Sequence, residues 1–116
     1  MKIDNWTERF AGTAGLPRPV QDRLITVGRA IRIKAGEVIF SPTHMPDSLL
    51  FLYEGRIRVS QSSEVGREIV LYRIDAGDSC VLTTACMLAE EAYNAEGVAE
   101  TDVILIKLPK QDFDKL

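Results

Sequence analysis

The residues able to do chemistry are few and lie at two places along the chain. Cys80 and Cys86 stand six positions apart with the adjacent pair Thr83 and Thr84 between them, and His44 lies in a loop bordered by prolines. A thiolate activated at a helix N-terminus could sense oxidants or nitric oxide. Threonine hydroxyls and free backbone amides at such a terminus could instead bind an anionic small molecule. The histidine could ligate haem.

Each of these sites also has a purely structural interpretation. Free cysteines are among the most buried residue types, and the spacing is not C-x-x-C, so Cys80 and Cys86 are predicted as core residues, with a redox role as the alternative. Thr83 fits an N-cap as well as an anion site, and both interpretations stay open. A loop histidine is ordinarily solvated, and an iron–sulfur cluster usually takes four ligands. No cofactor and no metal are therefore predicted.

The composition fits one soluble domain. The chain has 116 residues, 46% of them hydrophobic and 27% charged, with a net charge of −3. The clustered lysine and arginine of a nucleic-acid-binding surface are missing. No apolar run approaches the ~20 residues needed to cross a bilayer, and no secretory signal is visible, so we expect a cytoplasmic protein without membrane contact. One histidine cannot supply a cupin-type metal triad and no nucleophile–base pair is visible, so no catalytic residue is predicted.

The elements that would position these residues are mostly short strands. Residues 1–28 are predicted as an N-terminal helical segment, 29–108 as a β domain, and 109–116 as the start of a helix that the chain cuts off, with Phe113 and Leu116 as an exposed apolar seam. Alternating or apolar runs separated by glycine turns are typical of a closed barrel or jelly roll. Strands are predicted at 30–34, 38–40, 49–53, 56–60, 67–74, 95–100 and 103–108. Residues 83–91 are predicted as a helix capped by Thr83.

Four segments in the middle of the chain form a string typical of one family. They are Lys34–Phe40, Asp47–Ser60, Gly66–Tyr72 and Ala76–Asp78. Together they resemble the sensor domain of bacterial Crp/Fnr-type transcription regulators. The resemblance implies the cyclic-nucleotide-binding fold, a mainly β double-stranded β-helix or jelly roll with short flanking helices. The glycines of the predicted strand reversals are expected where the chain needs a positive φ angle or a bare backbone. They are Gly36, Gly55, Gly66 and Gly77.

The chain departs from the family where cyclic nucleotide would bind. In that phosphate-binding cassette a Gly-Glu pair opens a short helix, and an Arg followed by Ser or Thr comes some ten residues later. Here Val81 and Leu82 replace the first pair, and no arginine follows Arg73. Because losing a bidentate charged contact costs about 2–5 kcal/mol, we do not expect cAMP as the effector. The resemblance implies a degenerate ligand site formed by Leu82, Thr83, Thr84, Tyr93 and Asn94. Either Tyr93 and Asn94 or Ala92 and Tyr93 stand where the Arg and Ser would be.

By resemblance, the chain is the effector-sensing domain of a transcription regulator. An unknown small-molecule effector would bind one arrangement of the barrel better than another and so shift the DNA-binding heads. In the family the last helix continues into a dimerisation helix and a helix-turn-helix domain. We therefore expect a homodimer in the full-length protein, and DNA binding only through that missing C-terminal domain. The alternatives are a stand-alone cyclic-nucleotide-binding-like module with a regulatory or protein-interaction role, and a barrel that serves only as a dimerisation scaffold.

Overall fold

The computed structural model describes residues 5–114 of the chain, and the side chains of residues 5–112. The helices are a short 3₁₀ helix (Trp6–Arg9), α1 (Ala11–Ala14), α2 (Arg18–Val27), α3 (Val81–Ala89) and α4 (Lys110–Asp114). The strands are β1 (Arg29–Ile33), β2 (Val38–Phe40), β3 (Ser48–Glu54), β4 (Arg56–Ser62), β5 (Glu68–Asp75), β6 (Glu96–Ala99) and β7 (Val103–Pro109). Every predicted strand is present, with its ends within two residues of the predicted ones.

The strands form two antiparallel sheets. Within the described residues, β1, β7 and β3 make one sheet in that order, and β2, β6, β4 and β5 make the other. The chain crosses repeatedly between the sheets, which is the jelly-roll arrangement, so the predicted mainly β fold is confirmed. Of the two expectations for the reversal glycines, the structure shows the positive φ angle, at 81° to 97°, for Gly36, Gly55, Gly66 and Gly77.

Strand β3 is buried on both faces, and this explains its continuously apolar sequence. Leu50 and Leu52 point into the hydrophobic cluster between the two sheets. Leu49 and Phe51 point to the opposite face, into a second cluster formed with the N-terminal helices. Because successive side chains of a strand alternate between faces, a strand with two buried faces needs apolar residues at every position.

The N-terminal helical segment covers the outer face of the three-stranded sheet. The rings of Trp6 and Phe10 pack on Phe51, with ring centroids 5.3 and 5.2 Å apart respectively. Leu24 of α2 is buried in the same cluster. These contacts hold the described part of the segment, residues 5–28, against the β domain.

Helix α3 joins β5 to β6 and contacts both clusters. Cys86 packs into the cluster between the sheets, and Met87 into the outer one. The helix begins at Val81 with Cys80 at its N-cap, so the prediction that it starts at Thr83 with a threonine cap is wrong. Val81 is β-branched and exposed, whereas Thr83 and Met87, one helical turn apart, are buried on the same face of the helix. Burial of that face outweighs local propensity.

The chain leaves β7 directly into α4. This helix begins at Lys110, close to the predicted start. The predicted apolar seam at Phe113 and Leu116 lies outside the residues whose side chains are described. Between residues 5 and 114, no helix is long and apolar enough to span a membrane.

Candidate functional site

The candidate site lies where β5, α3 and β6 meet, and we call it the α3 corner. The structure buries its central members: Cys80 and Tyr93 belong to the cluster between the sheets, Leu82 packs against that cluster, and Thr83 has no exposed surface. The α3 corner is defined by Cys80, Leu82, Thr83, Thr84, Tyr93 and Asn94. Five of these residues are those that the sequence predicts as a ligand site.

Thr83 and Tyr93 are hydrogen-bonded to each other in the protein interior. Their hydroxyl oxygens are 2.8 Å apart, and the Thr83 hydroxyl also donates to Sγ of Cys80 at 3.0 Å. Tyr93 therefore acts as the donor to Thr83, which leaves each hydroxyl with a partner. The Thr83 hydroxyl, for which an anion site was one of two open interpretations, is thus used within the protein.

The aromatic ring of Tyr93 stacks on Phe40 from β2. The two ring centroids are 4.3 Å apart and the planes differ by 15°. Phe40 lies opposite Gly97 in the β2–β6 ladder, and a Cβ on Gly97 would overlap the Phe40 ring. Glycine at this position therefore allows Phe40 to lie over β6 and to support Tyr93. Sequence reasoning missed Phe40, because its contact with Gly97 depends on a strand pairing that local patterns do not reveal.

Burial changes the chemistry of the Tyr93 hydroxyl. Burial is the main cause that raises the pKa of Tyr93 to about 12, and the hydrogen bond between Tyr93 and Thr83 opposes this rise only partly. Tyr93 is thus neutral at ordinary pH. A neutral hydroxyl cannot form the bidentate charged pair that a guanidinium makes with a phosphate.

The cysteine at the start of α3 is also shielded from solvent. Burial is the main cause that raises the pKa of the Cys80 thiol, which is 2% exposed, although its hydrogen bond with Thr83 lowers the pKa somewhat. Cys86 is a buried free thiol too, with Sγ 3.7 Å from the carbonyl oxygen of Ala92. A buried, protonated thiol is a poor nucleophile. This environment favours the core-residue interpretation over a redox role.

The remaining predicted site residues do not line one wall. Thr84 is half-buried, and its hydroxyl donates to the carbonyl oxygen of Cys80 at 3.2 Å. Asn94 is exposed, and its backbone carbonyl accepts a hydrogen bond from the Gln61 side chain at 2.9 Å. The side chain of Asn94 is therefore exposed to solvent while that of Tyr93, the residue before it, is buried, so the two do not face the same space.

Tyr72 of β5 is a neighbour of the α3 corner that the sequence analysis did not single out. Its pKa is raised, mainly by partial burial and also by the nearby thiols of Cys80 and Cys86, while the backbone of Leu82 lowers it. These neighbours place the Tyr72 hydroxyl beside the first turn of α3. The side chain is 38% exposed, so it borders the corner on the solvent side.

The arginines of the four-stranded sheet are paired with carboxylates. Arg58 lies 3.1 Å from Glu68, and Arg73 donates to Glu100 at 2.8 Å. Arg56 likewise contacts Asp75 at 2.8 Å. The hydrogen bond from Arg73 is the largest cause that lowers the pKa of Glu100. Arg56 and Arg73 are exposed and Arg58 is half-buried, and the carboxylates that pair with them lie outside the α3 corner.

A loop between β2 and β3 connects the α3 corner to the end of β7. The N–H of Tyr93 donates to the carbonyl of His44 at 2.9 Å, and the N–H of Thr43 donates to the carbonyl of Tyr93 at 3.0 Å. Further along, the carbonyl of Asp47 accepts from the N–H of Lys110 at 2.9 Å. The loop thus joins Tyr93 to the first residue of α4. The His44 side chain is exposed.

A jelly roll with a helical segment between its fifth and sixth strands is the class of domain that binds cyclic nucleotides. The family model of the cyclic nucleotide-binding domain matches residues 30–116, most of the chain. The chain belongs to this family. A comparison with curated proteins finds none that matches.

Solved structures with the same fold include regulatory subunits of protein kinases and bacterial regulators. A cAMP-bound mutant of the regulatory subunit of a cAMP-independent protein kinase A from Trypanosoma brucei has a TM-score of 0.85 at 21% identity over 95% of this chain. The catabolite activator protein of Thermus thermophilus has a TM-score of 0.75 at 22% identity over 87% of the chain. The N-terminal domain of a transcriptional regulator from Streptomyces coelicolor has a TM-score of 0.76 at 22% identity over 88% of the chain.

Identities this low show a shared fold and no more. This chain spans 40% of the trypanosomal protein and 46% of the Thermus protein, which is less than half of either. It spans 71% of the Streptomyces domain.

Proposed function

We propose that this chain is the effector-sensing domain of a Crp/Fnr-type transcription regulator, with no catalytic step of its own. Its effector is a small molecule, and it does not hold cAMP in the way usual for the family. Three findings support this: the string of motifs between Lys34 and Asp78, the match to the cyclic nucleotide-binding domain, and the likeness to two bacterial regulators.

The observation that carries the proposal is the hydrogen bond between Tyr93 and Thr83. Tyr93 stands where the resemblance expects the phosphate-binding arginine, and its hydroxyl is bonded to Thr83 at 2.8 Å. The trypanosomal relative offers a parallel, because its cAMP-bound form is a mutant in which one of three substitutions introduces an arginine. On this basis, the missing cation is what keeps cAMP from this domain.

The proposed response begins at the first turn of α3. An effector bound there competes with the hydrogen bond between Thr83 and Tyr93. Tyr93 is joined by backbone hydrogen bonds to the β2–β3 loop, and the Asp47 carbonyl of that loop holds the N–H of Lys110. A shift of Tyr93 therefore moves the start of α4, which leads toward the family's output domain. The effector acts by preferring one of two arrangements.

Calorimetric titration with cAMP tests the missing-cation argument. We expect the wild-type chain to show no binding at about 1 mM cAMP. The double variant Leu82→Glu, Tyr93→Arg restores both family positions, and we expect its affinity to exceed the wild type's by at least ~30-fold, the equivalent of ~2 kcal/mol. A matched control, Leu88→Glu with Tyr53→Arg, adds the same charges outside the corner and is expected to leave binding unchanged.

Two results would contradict the proposal. Micromolar binding of cAMP by the wild-type chain would show that the cassette works without the arginine. A double variant that is folded by circular dichroism and still fails to bind would show that something other than the missing charges excludes cAMP.

A further inference from the structure

A small cavity lies on the side of Tyr93 away from α3. It has a volume of about 150 Å³, and α3 contributes no residue to its described wall. Its wall includes residues of β1 and β2, each of which is an edge strand of its sheet among the described strands, as well as residues of β3, β7 and the β2–β3 loop. Its aliphatic wall consists of Ile31, Ile33, Ile39, Leu50 and Leu105. The stacked rings of Phe40 and Tyr93 also line it, together with Met45 and Pro46 of the β2–β3 loop.

The size and lining of this cavity determine which ligands it suits. A cavity of this volume whose interior side chains are aliphatic and aromatic accepts a molecule the size of benzene. A water molecule would find few hydrogen-bonding partners among aliphatic side chains and ring faces. The aromatic rings also allow a ligand ring to stack or to meet them edge to face. The interior therefore suits a six-membered ring or a branched aliphatic group.

The mouth of the cavity is polar and carries both signs of charge. Lys107 and Asp47 border it, together with the imidazole of His44. Because a cation and an anion stand at the same opening, a charged ligand group is attracted by one of them and repelled by the other. A neutral group that both donates and accepts hydrogen bonds, such as a hydroxyl, suits both.

We infer that this cavity is a second small-molecule site, for an uncharged, benzene-sized ligand with one hydroxyl or similar polar group. The site goes beyond the proposed function, because its ligand contacts Tyr93 from the side opposite the α3 corner. The bond from Tyr93 to Thr83 links the cavity to α3. The hydrogen bond that the N–H of Lys110 donates to the carbonyl of Asp47 links the mouth of the cavity to α4. A ligand bound in the cavity would thus be connected to α3 through Tyr93 and to α4 through Asp47.

Amide chemical-shift mapping with benzyl alcohol tests this site on the wild-type chain. We expect binding in the range of about 0.1–1 mM. The largest shifts should fall on Ile31, Ile39 and Tyr93, with smaller ones at Thr83 and Lys110. Benzoate, which has the same ring and a negative charge, should bind at least ~10-fold more weakly.

A cavity-filling variant gives the specific control. Ile31→Phe places a larger side chain in the space, and we expect it to weaken benzyl alcohol binding by at least ~10-fold. Ile69→Phe makes the same change on β5, where Ile69 is 51% exposed, and should bind as the wild type does. If Ile31→Phe does not fold, Ile39→Phe fills the same cavity from β2.

Three outcomes would overturn the inference. The first is an absence of shifts, or shifts confined to exposed apolar residues such as those of β5. The second is a folded Ile31→Phe variant that binds as tightly as the wild type. The third is tighter binding of benzoate than of benzyl alcohol, which would refute the neutral ligand class. None of these results depends on whether cAMP binds at the α3 corner.

Discussion

A double-mutant cycle on Thr83 and Tyr93 would measure the coupling free energy of the hydrogen bond between their buried hydroxyls in the α3 corner. Both side chains are buried, Thr83 completely and Tyr93 to all but 7% of its surface. Tyr93→Phe removes one hydrogen bond but leaves Thr83 bonded to Cys80, so we expect a loss of about 1 kcal/mol in the free energy of unfolding. Thr83→Val leaves the Tyr93 hydroxyl buried without a partner, and this should cost about 2 kcal/mol.

The double variant removes both partners and is expected to be more stable than the sum of the single changes predicts. The coupling free energy should be about 0.5–1.5 kcal/mol. Urea unfolding followed by circular dichroism gives each value, and a loss of 1 kcal/mol corresponds to a fall of roughly 4 °C in Tm for a domain of this size.

A mock cycle provides the control. Tyr53 is half-buried, its ring packs under Arg9, and its hydroxyl has no hydrogen bond among the described residues. Tyr53→Phe combined with Thr83→Val should therefore be additive within about 0.3 kcal/mol. If the Thr83–Tyr93 cycle is equally additive, the two hydroxyls are not hydrogen-bonded in solution, and this account of the α3 corner is refuted.

Three further predictions concern the surroundings of this bond. Gly97→Ala should lower the free energy of unfolding by about 1–3 kcal/mol, because its Cβ would overlap the Phe40 ring, and thermal unfolding would measure the change. Tyr93 has a raised pKa of about 12, so the neutral side chain contributes to the free energy of unfolding below about pH 10, and this contribution is lost as the pH rises through 12. The loss should be ~1 kcal/mol at pH 11. In urea titrations, the stability advantage of the wild type over Tyr93→Phe should therefore shrink between pH 9 and 11. Glu100 has a lowered pKa, so its contribution is present above about pH 4.5 and is lost as the pH falls further; Glu100→Gln should therefore flatten the acid limb of the stability curve.

Each of these predictions has a result that would contradict it. Gly12→Ala, where a Cβ would meet nothing within 4 Å, should be nearly neutral, and an equal loss in both glycine variants would exclude the overlap with Phe40. A wild-type advantage that is constant from pH 9 to 11 would mean that Tyr93 titrates as an unburied tyrosine does. An unchanged acid limb in Glu100→Gln would mean that the ion pair with Arg73 contributes nothing.

The strands were predictable because their signals are local. The alternation in Arg56–Ser60 and the glycines at the reversals specify strand, turn and exposed face without knowledge of the partner strands. The helix before β6 was predicted too, but its start was placed at Thr83. Val81 favours a strand locally, and only the burial of Thr83 and Met87 on one face shows that the helix begins earlier.

The family string implied a ligand site at Leu82, Thr83, Thr84, Tyr93 and Asn94, and ligand binding there stays a prediction. Asn94 is exposed, whereas Thr83 and Tyr93 are buried and bonded to each other. Their internal bond, and the stack of Tyr93 on Phe40, depend on the pairing of β2 with β6, whose residues are far apart in sequence. The cavity between β1 and β2 was missed for the same reason, since its walls come from strands at both ends of the chain.

The reading frame of the native gene downstream of the Leu116 codon tests the proposed regulator most directly. The proposal predicts that the frame continues for roughly another hundred codons, about one domain, and that these encode a long amphipathic helix followed by a helix-turn-helix pattern. A stop codon immediately after Leu116 would contradict the proposal, because the domain would then have no DNA-binding part of its own.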